Sequence, residues 1–334
     1  MCIRDSFLTR AFVGCSLVAS AFVGSTTAYA VEGGVYGAPL GGTDVRQAYL
    51  PPTPGFYGGF AAVGVLSPNY RDQNGNISSS LSPAYLYAQV MGAGILYVYP
   101  YNPLGFTVAS SFQLNYISEQ QALTINGVHR SGTASGFQDS FSDLFYASHY
   151  IGLFGAVAGS NPKFHYGLTG AFGLAAEIPL GAFSPSNFVN PGKNTWITIP
   201  NVALTYLTGP NLSFFDGTEI SARFFFDTNK RDPATGYQGG NLIDLDYSVS
   251  ERMGNFQFGV AGDYAQQLNG DHSTTYALVA PGGAIYSKID IGPVFVYDSP
   301  DLGATFKAKA LFPVYHTNNY NATTIVLSVS RKLF

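Results

Sequence analysis

The sequence predicts an all-β chain closed into an antiparallel transmembrane β-barrel of about 12 strands, and three observations carry that expectation. Charged residues make up 11% of the 334 residues while 46% are hydrophobic, against about a quarter charged in ordinary soluble domains. Glycine (39), tyrosine (23) and phenylalanine (26) far outnumber methionine (3) and tryptophan (1), a balance that favours strands and turns over helices. Apolar residues recur with period two along segments of roughly ten residues, the length that crosses a bilayer as a tilted strand. The same hydrophobicity excludes a disordered chain. Lys+Arg 16 against Asp+Glu 20 gives a net charge of -4 with no basic run, which excludes a nucleic-acid footprint.

The first thirty residues read as an export signal. Arg4 and Arg10 precede an apolar stretch over 11–24, and Ala28-Tyr29-Ala30 offers the small-x-small pattern of a cleavage site. The stretch is shorter than the ~20 residues a spanning helix needs. Both cysteines, Cys2 and Cys15, lie in this segment, so a mature chain from Val31 would have no disulfide, thiolate metal site or cysteine nucleophile. A closed hydrogen-bonded sheet is one alternative source of stability. Residues 31–55 hold four prolines and six glycines and form an N-terminal arm, either a periplasmic tail or a plug folded into the barrel.

The barrel is expected over 56–334. Its strands are placed at 56–66, 84–99, 106–117, 143–157, 163–178, 195–207, 218–227, 241–253, 256–267, 283–297, 303–313 and 324–334. The sharpest rival is a membrane helix over 81–99, but that stretch carries Pro83, Gln89, Gly92 and Gly94 among tyrosines and β-branched residues, which suit a pleated surface better. Only 144–159 is comparably apolar, and it contains His149. Period two is plain elsewhere. Phe106, Val108, Phe112, Leu114 and Tyr116 oppose Thr107, Ser111, Gln113 and Asn115; Ile243, Leu245, Tyr247 and Val249 oppose Asp244, Asp246, Ser248 and Arg252; Phe256, Phe258 and Val260 oppose Gln257, Asp263 and Gln267.

A soluble sandwich also alternates, and the connections separate the two readings. They run alternately long and polar (67–83, 118–142, 179–194, 228–240, 268–282, 314–323) and short (100–105, 158–162, 209–217, 254–255, 298–302), the asymmetry of an outer-membrane barrel with short periplasmic turns and long outer loops. Tyr85 and Tyr87 share a face with Tyr97 and Tyr99 ten residues on, which at ~3.3 Å per residue and ~40° tilt spans about 25 Å, the height between aromatic girdles. The chain ends in Phe334, a terminal aromatic that resembles the recognition signal of outer-membrane barrels.

A family resemblance runs along most of the chain. Glu32-Gly-Gly-Val35, Tyr49-Leu-Pro-Pro-Thr-Pro-Gly-Phe-Tyr57, Asn190-Pro-Gly-Lys-Asn-Thr-Trp196 with Ile199-Pro200, Phe226-Asp-Thr-Asn229, Thr235 to Asn241, Gly259 to Asp271 and Gly292-Pro293 occur in order. Together they resemble the outer-membrane family named for the meta-pathway of phenol degradation. The resemblance implies a barrel like the long-chain fatty-acid transporters, thought to carry aromatic or other hydrophobic compounds across the outer membrane. Its expected partners are outer-membrane lipid and lipopolysaccharide and a small hydrophobic solute, with the chain a monomer or small homo-oligomer. The rival functions are a general hydrophilic pore, an adhesive barrel without transport, and a barrel hydrolase.

Catalytic chemistry is not expected. His129, His149, His165, His272 and His316 show no metal-ligand spacing, and no GxSxG elbow is present. His149 with Ser148 or Ser142, and His165 with Ser160, are the pairs a hydrolase would use. No cofactor or metal is expected, since passive flow needs none. Charge on the lipid face would cost ~2–4 kcal/mol at mid-depth. The polar phase of the strands is therefore assigned to the lumen, with Asp244, Asp246, Gln257, Asp263, Gln267, Lys307, Lys309, Gln113 and Asn115 as the candidate solute-contacting lining. The aspartates and lysines are expected to pair with one another or with Arg223 and Arg252. Asp227 to Asp232 and Asp298 to Asp301 are expected to be solvated turn carboxylates or loop contacts with divalent ions bridging lipopolysaccharide.

Overall fold

Successive side chains of a strand point to opposite faces, so an alternating segment needs two different surroundings, and a closed sheet supplies them. The structure, a computed structural model, describes residues 36–125, 127–159, 165–275 and 285–334. The predicted export signal, with Cys2 and Cys15, lies outside these residues. The barrel strands are β1 (Gly55–Ser67), β2 (Tyr85–Val98), β3 (Thr107–Ile125), β4 (Ser140–Gly152), β5 (Gly167–Ile178) and β6 (Ile197–Leu207). They continue as β7 (Gly217–Asn229), β8 (Leu242–Met253), β9 (Phe256–Gln267), β10 (Ser287–Ser299), β11 (Ala304–Thr317) and β12 (Thr323–Lys332). Each pairs antiparallel with its sequence neighbours, and β12 returns to β1 from Tyr57 opposite Lys332 to Leu66 opposite Thr323. Twelve strands therefore close without an edge, as the sequence predicts. No helix among the described residues is long and apolar enough to cross a membrane.

The two faces differ as the alternation requires. Along β6, Asn201, Ala203 and Thr205 are buried while Val202 and Leu204 are 54% and 55% exposed. Ile220 and Phe224 on β7, Val249 on β8 and Phe256, Phe258 and Val260 on β9 are exposed likewise. A ring of bare aliphatic and aromatic side chains is stable only against lipid. Substituting Leu204→Lys is expected to cost about 2–4 kcal/mol by putting a charge at mid-depth, read by urea unfolding in lipid vesicles; Leu204→Val is the control. Aromatic rings collect at both rims. Phe56 and Tyr97 lie 4.5 Å apart and Phe256 and Tyr297 4.9 Å apart at the short-turn end, and Tyr85 and Tyr87 lie 5.4 Å apart at the long-loop end.

Some boundaries move. β3 continues past residue 117 to Ile125, because its upper half stays paired with β2 as far as Ala122 opposite Tyr85 and pairs on its other side with the strand Val128–Phe137 in a hairpin. Leu123 and Ile125 remain buried there, packed with Ala84 and Tyr320. The hairpin costs the barrel part of its ladder: β3 and β4 share only the pairs Thr107–Ser148, Val108–Ala147 and Ala109–Tyr146. Side chains take over above them, with Ser110 Oγ donating to the Leu144 carbonyl at 2.6 Å and Ser140 Oγ to that of Gln113 at 2.5 Å. β4 ends at Gly152 rather than 157, which lengthens the connection that follows, and β11 runs on to Thr317, which shortens the one before β12. Phe334 lies beyond the end of β12, its carbonyl accepting from the Phe56 amide at 3.0 Å and its ring 5.0 Å from that of Phe56. The terminal aromatic thus sits on the seam between first and last strands.

Candidate functional site

The lumen has two unlike walls, and the arm is hydrogen-bonded to one of them. From β4 to β11 the inward phase carries hydroxyls, carboxylates, amides and cations; across β12, β1 and β2 it is mostly apolar or small, and β3 adds Ile117 among Ser111, Gln113, Asn115, Glu119 and Gln121. Residues 36–50 run along the polar wall. Asp227 accepts from the Gly37 and Ala38 amides at 2.7 and 3.0 Å. Asp246 accepts from the Gly41 amide at 2.6 Å and from the Thr43 amide and hydroxyl at 2.8 and 2.5 Å. The Gln47 and Ala48 amides donate to Ser221 and Thr205, and Tyr146 and Ser148 donate to the carbonyls of the same two arm residues. Turn-forming sequence makes this possible, since an arm without regular structure leaves its backbone groups free for side chains of the wall.

Charge pairing follows the arm. Asp44 sits 2.8 Å from both Lys307 and Lys309, and Lys309 also donates to the Gly41 carbonyl. Arg46 grips Asp298 with two nitrogens, at 2.9 and 2.7 Å, while its amide donates to Glu219 and its Nε to Gln257. Glu219, fully buried, also pairs with Arg252. Arg223 pairs with Asp143 at 2.7 Å and lies over the Tyr146 ring at 4.3 Å. Lys288 holds Asp263 at 2.8 Å and Asp290 at 2.9 Å, and His316 closes on Asp290 at 2.7 Å. In the long connection after β5, Lys193 reaches Glu177 at 3.0 Å and the Tyr36 carbonyl at 2.5 Å. Burial alone would lower its pKa, but Glu177 and further nearby acidic groups raise it above the usual lysine value.

The predicted lining residues fall into two groups. Asp244, Asp246, Gln257, Asp263, Lys307 and Lys309 are brought together on β8, β9 and β11, Asp246 directly opposite Asp263. Gln267 is at the long-loop end, bonded to Asp271 at 2.6 Å. Gln113 and Asn115 lie apart from the cluster on β3, opposite Gly94 and Gly92 of β2. The expected pairing of Asp244 and Asp246 with the two lysines or with Arg223 and Arg252 does not form. Both lysines turn to Asp44, both arginines take other carboxylates, and the two oxygens of Asp244 are buried with no hydrogen-bond partner. Asp227 and Asp298 are corrected as well: neither is a solvated turn residue, for both lie within strands and bind the arm. Sequence reasoning missed Asp44, Glu219, Lys288, Asp290 and His316. Glu219, Ser221, Arg223 and Asp227 share one phase of β7, a signal that alternation offered; the partner of each depended on the fold.

Three cavities remain beside the arm. The outermost, about 410 Å³, is lined by Val63, Val65, Leu86, Ala88, Val90 and Ile117 on one side, with Glu119 and Gln121 above them, and by Tyr36, Pro39 and Leu40 of the arm with the ionisable Lys193, Lys288, Asp290 and His316 on the other. A second, about 560 Å³, lies lower on the same wall between Pro51 and the small residues Gly59, Ala61, Gly92, Gly94 and Ser328. A third, about 800 Å³, opens at the short-turn end and shares Pro51, Thr305, Ser328 and Ser330 with the second. From residues 36–50 no hydrogen bond reaches β12, β1, β2 or β3 among the described residues.

Ser148 points inward to the arm, whereas His149 is exposed, held by the Gly105 carbonyl at 3.0 Å and packed on Phe106. The pair is thus split between faces. Ser160 lies outside the described residues, and His165 packs on Tyr49 at 5.8 Å. No group of three His, Cys, Asp or Glu residues that could hold a metal occurs among the described residues.

The barrel resembles solved outer-membrane proteins. An outer membrane channel from Pseudomonas putida F1 superposes with a TM-score of 0.68 over 87% of this chain and 100% of that one, at 10% identity. The transport unit of the autotransporter AIDA-I from Escherichia coli gives 0.48 over 87% and 93%, also at 10% identity. No curated protein matches the chain in sequence. An outer-membrane-type barrel is therefore the fold. Family membership rests on the sequence itself, and the match takes in β2 to β11 with most of β12: the family described as "Putative MetA-pathway of phenol degradation" matches residues 70–329, and the chain belongs to it.

Proposed function

We propose that this barrel lies in the bacterial outer membrane, after export on a cleaved signal over residues 1–30, and admits small hydrophobic compounds, aromatic ones among them, by passive flow. The observation that carries the reading is the unfilled wall: the arm is hydrogen-bonded to the polar wall and leaves open cavities along β12, β1, β2 and β3. Residues 36–54 act as a plug fixed to one side. Solute enters from the long loops into the outer cavity, where valine, leucine and isoleucine desolvate it. The Glu119 carboxyl, which has no hydrogen-bond partner among the described residues, offers one polar anchor suited to a solute hydroxyl. It then moves down the glycine-lined wall to the short-turn, periplasmic end, or sideways through the weakly laddered β3–β4 seam. Such flow needs neither cofactor nor catalyst, and the chain works as a channel rather than an enzyme.

The test is uptake of labelled aromatic and fatty compounds by cells with and without the protein. Faster uptake of apolar than of similar-sized polar compounds is expected. Equal uptake with and without the chain rules the reading out and favours an adhesive role.

A further inference from the structure

Cross-strand register puts four apolar side chains in one row on the open wall. Val326 of β12 lies opposite Val63 of β1, Val63 opposite Val90 of β2, and Val90 opposite Ile117 of β3. Val63, Val90 and Ile117 line the outer cavity and not the second; Ala61, Gly92 and Asn115, one inward position lower on the same strands, line the second and not the outer. Val63, Val90 and Ile117 are therefore the floor of one cavity, just above the roof of the next, while on β12 Val326 falls between Thr324 of the outer cavity and Ser328 of the second. The row ends on β11 at Lys309, opposite Val326. That cation is withdrawn from the path, its side chain wholly buried against Asp44 and the Gly41 carbonyl.

We propose that the belt Val326, Val63, Val90 and Ile117 is the dry step of the permeation path and the element that sets its selectivity. The inference rests on the transport reading above and adds where discrimination occurs. An apolar solute exchanges contacts with the outer cavity for contacts with the belt, a step between like surroundings. An ion or sugar solvated by the polar groups of the outer cavity, Lys288, Asp290 and Glu119 among them, must leave them at the row, whose own branched aliphatic side chains offer no hydrogen bond and make a constriction that dewets. Below the belt, Gly92 and Gly94 keep the wall thin and the next cavity wide. A Cβ added at Gly94 meets nothing nearer than 3.6 Å, so width there is a matter of side-chain choice rather than of a crowded backbone.

Two substitutions keep the strand shape and move the belt in opposite directions. Val63→Thr with Val90→Thr replaces a methyl by a hydroxyl on each residue at nearly constant volume and keeps β-branching. Gly94→Leu fills the space below. Both are reconstituted in liposomes, insertion being checked by the heat-dependent gel shift of folded barrels. The threonine pair is expected to raise swelling in small sugars and salt conductance several-fold. Gly94→Leu is expected to cut uptake of apolar solutes in cells several-fold without raising swelling. Parental swelling and conductance in a properly inserted threonine pair overturns the belt, as does parental apolar uptake through Gly94→Leu. The swelling assay needs no apolar substrate, so a parental chain that carries no apolar compound defeats the transport reading while the belt is still read as an ion barrier.

Discussion

Deleting residues 36–52 is expected to turn a nearly filled barrel into a wide, salt-conducting pore. The arm covers the polar wall from Thr205 on β6 to Lys309 on β11, and its removal exposes Asp227, Asp246, Glu219, Lys307 and Lys309 to a lumen that water then enters. Once hydrated, these charges are solvated rather than orphaned, so the barrel loses the arm's bonds without acquiring buried unpaired charge. Single-channel recording in planar bilayers measures the effect, and conductance several-fold above the parent is the expected value. Asp246→Ala is the milder companion. It removes the acceptor of three arm bonds at 2.5 to 2.8 Å and should give brief openings rather than a steady pore. A deletion variant that inserts normally yet conducts like the parent would remove the arm from any role in closing the lumen.

Arg252→Ala is expected to be the most destabilising single change inside the barrel. Glu219 has no exposed surface and keeps only the Arg46 amide at 2.7 Å once the guanidinium is gone. Stranding one partner of a buried pair costs about 3–5 kcal/mol. The temperature at which the folded barrel loses its fast gel mobility should fall accordingly. The double variant Arg252→Gln with Glu219→Gln should recover much of the loss, because it leaves no uncompensated charge. A single variant that melts with the parent would show that water reaches Glu219, contrary to its burial here.

Strand count, barrel class and the facing of the clearly alternating strands, β3, β8 and β9, were legible in the sequence because period two is local and lipid is unforgiving; β2, apolar on both faces, was not. A charged residue in a spanning strand has one affordable direction, so Asp244, Asp246 and Asp263 were assignable inward from phase alone. Partner choice was not legible in the same way. Lys307 and Lys309 are two residues apart on one strand and meet Asp44, more than 260 positions away, only because the arm doubles back into the lumen. Asp227 and Asp298 read as turn residues for a related reason: each follows its apolar run at a strand's end, and only the arm shows that they are acceptors, Asp227 buried and Asp298 partly exposed. The overlong β3 was missed because Ser118 to Gln121 are polar at four consecutive positions and so carry no alternation to read.

By itself the sequence determined an all-β chain of twelve crossing strands and, where polar and apolar residues alternate, which face meets lipid, since both follow from side-chain alternation over ten residues against an apolar solvent. The tertiary structure alone decided that the lumen has one polar wall occupied by the arm and one apolar wall left open. That division depends on which strands become neighbours when the sheet closes and on where an unstructured, glycine-rich segment finds acceptors for its backbone, and neither is encoded in any local period.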